Sequence, residues 1–506
     1  MHWGNLRTIP RPIVLTFQYA VIATFFVLSS LHANAATLTV PAGGSLQSAI
    51  NAAQPGDTII LQAGATYTGD FVLPNKSGTE YITIQSSRVD ELPEGVRVGP
   101  AQKALFARLQ NASSASPIIV AALSSHHYRL VGLEIATTTS ALVYDLVRFG
   151  ENSQTAAQVP HDFIIDRSWI HGHATQDVQR GITMNGAEIT VSNSYISDIH
   201  GRGYDTQAIC GWNGPGPFRI INNYLEASGE NVMFGGALPS ITNLVPSNIE
   251  IKRNYFFKPL SWKVGHPTYA GIHWSVKNLL EFKNARDVVV DGNTFENSWT
   301  DAQIGYAILF TVRSEDGRAP WATLENIKFI NNVVKNSDQA LQLLGSDAPK
   351  RSGRGTGLII SNNLFTGIKN RFLTMSGYYN VTIDHNTHFQ NGNIMALHGE
   401  PSTGFVYTNN ITNRTPSSYG IFGDGAGEGN PAIAKFLPGV TMKRNVIAGA
   451  PGSQYPGNNA FPANLEKIGF QYPSAGNFRL TAKSGLKGTA TDGTDPGCQL
   501  DLLPRH

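Results

Sequence analysis

The chain has 506 residues, with 38 Lys and Arg against 36 Asp and Glu, and only 15% of its residues are charged. Its length alone allows about three domains, but no Pro/Ser-rich linker or charge run divides it, which points to one long architecture. The near-neutral balance excludes the global electrostatics of a nucleic-acid or membrane-surface binder, and 51 Gly with frequent Asn argue for a turn-rich β protein rather than a helical one.

Residues 1–35 have the layout of a signal peptide. Arg7 and Arg11 form a positive start, an apolar run covers residues 13–31, and Ala33-Asn34-Ala35 suits a small-residue cleavage site. An uncleaved membrane anchor is the alternative, since the run approaches spanning length. These residues carry two Arg and no Asp, Glu or Lys, so removing them takes the net charge from +2 to 0. The expectation is a neutral, secreted or periplasmic monomer with no membrane association beyond the signal.

The mature chain opens on a strand at residues 36–40. Ser45 then suits the N-cap of a short helix whose Leu46, Ala49, Ile50 and Ala53 form one apolar stripe. Gln54-Pro55-Gly56-Asp57 ends it, and Thr58-Ile59-Ile60-Leu61 reads as the next strand. A short amphipathic helix ahead of many strands is what an open β solenoid needs to cover its first coil and block edge pairing.

From about residue 163 the sequence repeats a unit, apolar-x-apolar-x-x-Asn-x-apolar, as in Ile249 to Phe256 and Val288 to Phe295. The marked column holds Ser168, Ser194, Asn223, Asn254, Asn293, Asn332, Asn363, Asn386, Asn410 and Asn445. Its steps range from 23 to 39 residues with a mean near 31. That irregular period predicts an all-β parallel β-helix over residues 36–450, with loops inserted at the turns and stacked Asn amides forming a ladder. Asn at this position also suits a left-handed turn. Ahead of each marked unit runs a second strand, with Ile182/Met184, Val232/Phe234, Leu280/Phe282 and Ile308/Phe310 predicted inward and their alternates outward. Residues 451–506, rich in Pro, Gly and Asn, read as a C-terminal cap of the same domain folding back on the helix. Cys210 and Cys498 read as unpaired thiols, and no metal-ligand spacing is present.

The signal, the segment from Ser45 to Leu61 and the Asn-marked coils resemble the right-handed parallel β-helix proteins of the pectate-lyase-like superfamily. The resemblance covers nearly the whole mature chain. It implies a carbohydrate-active protein that cleaves or modifies acidic polysaccharides. The opening segment is similar to that of alginate and dermatan lyases with this fold, which use a Lys base and an Arg acid on adjacent coils. The Asn-Thr-Asp and Asp-Asp signatures of polygalacturonases are missing, which argues against a pectin hydrolase.

Three features point to the coils between Gly203 and Arg313. The two longest steps, 39 residues each, carry Trp262, Lys263, His266, His273, Trp274, Trp299, Asp301 and Trp321, either as a binding wall or as loop staples. One outward column reads Asn185, Trp212, Gly235, Lys283, Thr311, so Gly235 and Gly236 suggest a bare floor on which a sugar lies between Trp212 and Lys283. Charge gathers there as Arg180, Glu230, Lys277, Glu281, Lys283 and Arg313, which solvated ion pairing also explains. β-Elimination from a uronate needs the carboxylate neutralised, a base for the C5 proton and an acid for the leaving O4. The assignment is Lys283 as base and Arg313 as neutraliser or acid, with Glu281 and Glu230 orienting them. His273 and His266 are rival acids or bases, and Lys277 is a rival base. Trp212, Gly235, Gly236, Lys277, Trp274 and Arg180 are the substrate-binding set. Glu230 with Glu281 is the hydrolase alternative. Calcium at Asp301 with Asp205 or Glu230 is a further option. The readings carried forward are a lyase on an acidic polysaccharide, a hydrolase or epimerase, and a non-catalytic carbohydrate-binding protein.

Overall fold

A computed structural model of the chain describes residues 35–504, apart from 113–115, 139–140 and 151. The expected signal therefore lies, but for Ala35, outside the described residues. Strand alternation builds the coils. Residues such as Ile249, Val288, Ile327, Leu358 and Val381 are paired in parallel register and buried, while their neighbours Glu250, Val289, Lys328, Ile359 and Thr382 form the outward column.

Among the described residues the coils form three sheets of 14, 13 and 13 strands. In chain order the first sheet starts at Thr37–Val40, the second at Thr66–Thr68 and the third at Phe71–Leu73. Pairing within them is parallel until the third sheet ends in an antiparallel hairpin, Ile421–Gly423 with Gly427–Glu428. The interior is a continuous apolar column in which aromatic rings stack from coil to coil, as Phe256 on Phe295 at 4.3 Å between centroids and Phe282 on Phe310 at 5.5 Å. No helix among the described residues is long and apolar enough to cross a membrane.

The Asn column joins the first sheet to the second and is a ladder. Each member's backbone N–H donates to the side-chain oxygen of the next, Asn223 to Asn254 at 2.8 Å and Asn254 to Asn293 at 2.8 Å, with amide–amide bonds at 3.0 Å beside them. Ser168 and Ser194 extend it through their hydroxyls, and Asn459 terminates it beyond Asn445. The left-handed backbone, however, belongs to the residue before each ladder member: Asn222, Arg253, Asn331, Asn362, His385 and Asn409 all have positive φ. The ladder Asn is thus selected for its buried amide, and its predecessor takes the corner.

The N-terminal helix Leu46–Ala52 forms as expected, capped by Ser45 and burying Leu46 and Ile50. A second helix, Asn430–Phe436, closes the other end and buries Ala432, Ile433 and Phe436. The sequence reading missed it, because its apolar stripe is one turn long and sits in a Gly/Pro-rich stretch. The tail forms a hairpin, Phe470–Tyr472 with Asn477–Leu480. It then runs back along the corner: Thr491 N–H donates to Asn409, Cys498 N–H to Thr387 Oγ1, and Gln499 N–H to Asn362. Both cysteines are free.

Candidate active site

The outward face of the third sheet, from strand Val143–Phe149 to strand Tyr306–Thr311, gathers the charged groups. Cys210 pairs with Met233, Met233 with Glu281, and Glu281 with Leu309, so these form one outward column. All four are buried. Lys283 follows Phe282 at the strand end, where its N–H donates to Phe234 O at 2.8 Å, and Arg313 N–H donates to Lys283 O at 3.0 Å from the next coil. Lys283 and Arg313 thus occupy adjacent coils. The Arg313 side chain is drawn to Asp347, 3.0 Å away, which also accepts from Ser314 N–H at 2.9 Å.

Gly235 and Gly236 have φ of 88° and 82°, which ends the strand and turns the chain away. They are not the bare floor expected of them. A Cβ on Gly235 would meet Asn284 N at 2.7 Å and Lys283 Cβ at 3.0 Å, and one on Gly236 would meet Met233 Cε at 2.8 Å. The pair is a seat on which the Lys283 stem lies. Trp212 is likewise corrected as an open stacking face: it packs with Cys210 and Met233, and the Arg180 guanidinium lies over its ring at 5.2 Å.

Trp274 is also removed from the substrate-binding set. It is 2% exposed, stacks on His200 at 3.7 Å and packs with Trp262, Val276 and Trp299. These aromatics staple the long loop. Burial holds the His200 imidazole down near 4, so it is neutral here. His273 is exposed and bonded to Asp301 at 2.8 Å, and His266 bonds Thr268 within its own loop.

Lys277 stands between two carboxylates, 2.5 Å from Asp205 and 3.4 Å from Glu230. Burial pulls its pKa down, but Glu230 and Asp205 outweigh burial and leave it raised. Glu230 also accepts from Gln207 Nε2 at 2.7 Å. Asp301 is engaged by His273 and by Val276 N–H, and an ammonium stands beside Asp205 and Glu230. Glu281 is strongly perturbed. Burial raises its carboxyl to about 7, Lys283 at 3.7 Å opposes this, and Glu230 adds to it. Glu230 lies three residues ahead of Met233, the partner of Glu281, so the two backbones are about 11 Å apart.

Several groups here were not legible in the sequence. Asp145 on strand Val143–Phe149 holds Arg148 at 2.8 Å and Arg180 at 3.6 Å and accepts from Thr183. The alternation in Val143-Tyr144-Asp145-Leu146-Val147-Arg148-Phe149 was the available signal, but these coils precede the first marked unit. Lys258 is wholly buried, donating to the carbonyls of Ala227 at 2.6 Å, Ser228 at 3.0 Å and Gly229 at 2.6 Å and to Asn231 Oδ1 at 3.1 Å. Burial pulls its amine down to about 7, yet four acceptors around Nζ suit the ammonium, which we take as its state. Around this face the buried Glu281 Oε2, both amide atoms of Asn278, Asn185 Nδ2 and Thr311 Oγ1 have no protein hydrogen-bond partner. Such atoms are open to hydrogen bonds from water or a polar ligand.

No protein-family model matches the chain, and no curated protein matches it. Solved structures do. The α-1,3-glucanase of family GH87 from Streptomyces thermodiastaticus strain HF3-3 aligns with TM-score 0.54 at 12% identity, over 85% of this chain and 70% of its own. The PL6 family alginate lyase AlyGC aligns with TM-score 0.52 at 13% identity, over 92% of this chain and 57% of its own. Another PL6 alginate lyase, solved with a trisaccharide, gives 0.50 at 10% identity, over 92% and 95%. The chain has the right-handed parallel β-helix fold of the pectate-lyase-like proteins. At these identities the likeness is one of fold, and activity has to be argued from the site.

Proposed function

We propose that this protein is an exported polysaccharide lyase that cleaves a uronate-containing chain by β-elimination on the third-sheet face. The observation that carries the reading is Lys283, seated on Gly235 and Gly236, 3.7 Å from a buried carboxyl and one coil from Arg313. Lys277 on the same coil and Arg180 three coils away bring further cationic side chains to this face, each paired to a carboxylate.

In this reading cationic groups neutralise the uronate carboxylate and acidify C5–H. Lys283 Nζ takes that proton, the C–H electron pair becomes the C4=C5 double bond, and the C4–O4 bond breaks. O4 leaves with a proton from Arg313 or solvent. Lys277 is the poorer base, because its two carboxylate partners favour its charged form. Its role is to supply fixed charge beside Glu230 and Asp205. The same ammonium fills the place in which a hard cation would otherwise balance those carboxylates.

A hydrolase is the second reading, favoured by one observation: Glu281 at about 7 suits a general acid. With backbones about 11 Å apart, Glu230 and Glu281 reach the ~5–5.5 Å carboxyl spacing of a retaining pair only if their side chains converge. Mass spectrometry of products from alginate, pectate, glucuronan and glycosaminoglycans separates the two. Elimination gives one fragment lighter by a water than its hydrolytic counterpart. Products carrying the added water would overturn the lyase reading, and uncleaved but retained polymer would leave a binding protein.

A further inference from the structure

We propose a second site, unconnected with the elimination chemistry: a divalent transition-metal site of the zinc class built by His127, His161 and Asp162 on the first sheet. The residues come from two adjacent coils, strands His126–Val131 and His161–Asp166, paired in register from His126 opposite His161. In a regular strand, neighbouring side chains point to opposite faces. Here the second residue of each strand has a left-handed backbone, φ 58° at His127 and 59° at Asp162, and all four side chains at these positions are partly exposed. The repeated left-handed residue is what gathers four polar side chains at one spot.

His127, His161 and Asp162 each offer one ligand atom within 4.8 Å of the others. Asp162 Oδ2 lies 2.6 Å from His161 Nδ1 and 3.9 Å from His127 Nε2. Bonds of about 2.0–2.2 Å in tetrahedral geometry set ligand atoms about 3.4 Å apart, midway between these two distances. His126 supplies the outer contact. Its Nδ1 is 2.8 Å from His127 Nδ1, so with an ion on His127 Nε2 the Nδ1–H of His127 donates to His126. A ligating imidazole is usually held in this way by its second nitrogen. His126 also stacks on His161 at 4.9 Å, and the Tyr81 ring edge closes on His127 at 5.1 Å. Two imidazoles and a carboxylate select zinc, nickel or copper over calcium or magnesium, and three protein ligands leave a fourth position open.

The test is titration of the chelator-treated chain, prepared without a histidine tag, with Zn2+ by calorimetry and with Co2+ by visible absorption. The expected result is one saturable equivalent, Co2+ bands of a nitrogen- and oxygen-ligated ion, a raised Tm with Zn2+, and no effect of Ca2+ on either signal. His127→Ala and Asp162→Asn each weaken Zn2+ binding at least tenfold with the far-ultraviolet spectrum unchanged. Absence of Co2+ bands in the unaltered chain overturns the site whatever the variants do. Undiminished one-equivalent binding in the folded His127→Ala/His161→Ala chain overturns it equally.

Discussion

Glu281 and Lys258 both carry unusual electrostatics and make predictions. Glu281 has an ordinary carboxyl value of 4.5 that burial raises to about 7. A group raised on folding contributes stability that is present below its unfolded value and is lost as pH rises through the folded one. The loss from Glu281 therefore falls between 4.5 and about 7. Glu281→Gln should remove this loss, so urea unfolding at about pH 5 and about pH 8 should differ less in the variant than in the parent. An unchanged difference would mean that Glu281 is ionised throughout. Lys258 ties three consecutive carbonyls and Asn231 to one ammonium. Lys258→Met keeps the volume but strands those acceptors, and should cost about 3–5 kcal/mol in denaturant unfolding. A loss below about 1 kcal/mol would show that the cage does little for the fold.

At the scale of the element, the ladder and the glycine seat are the parts that position everything else. Asn293 accepts from both the backbone and the side chain of Asn254 and donates to Ile251 O at 2.8 Å. Asn293→Ala should cost about 2–4 kcal/mol, and Asn293→Ser distinctly less, because a hydroxyl keeps the backbone acceptor as Ser194 does for Ser168. Equal losses in the two variants would contradict the ladder account. Gly235→Ala meets both a positive φ and a 2.7 Å contact with Asn284 N. It should lose about 1–3 kcal/mol of stability and, by shifting Lys283, most of the proposed elimination activity. Gly265→Ala is the control, since its φ of +81 carries similar backbone strain with nothing within 4 Å.

Across the whole molecule, the coils were legible because one buried amide per turn has to satisfy its neighbours, so Asn recurs wherever the corner recurs. The alternation of Leu280/Phe282 and Ile308/Phe310 likewise set the register of the third sheet. The candidate site was half legible. Strand parity placed Lys283, Glu281 and the two glycines together, but parity says nothing of what the loops cover. Trp212 was read as exposed because its column faces outward, and Trp274 because it sits on a long, aromatic-rich loop, yet both are buried. Lys258 went unseen because its acceptors lie 27 to 31 residues away in sequence, and no local pattern announces those; Asp145 went unseen because its coil precedes the first marked unit. The central claim is that Lys283 is the base of a β-elimination. Its most direct test is the ultraviolet absorbance of unsaturated uronate, followed in parallel for the parent chain and Lys283→Ala on a panel of acidic polysaccharides. The account predicts a steady rise with the parent on at least one polymer and a loss of about a thousandfold or more in the variant. A parent that cleaves without the absorbance, or a variant that keeps the parent rate, would contradict it.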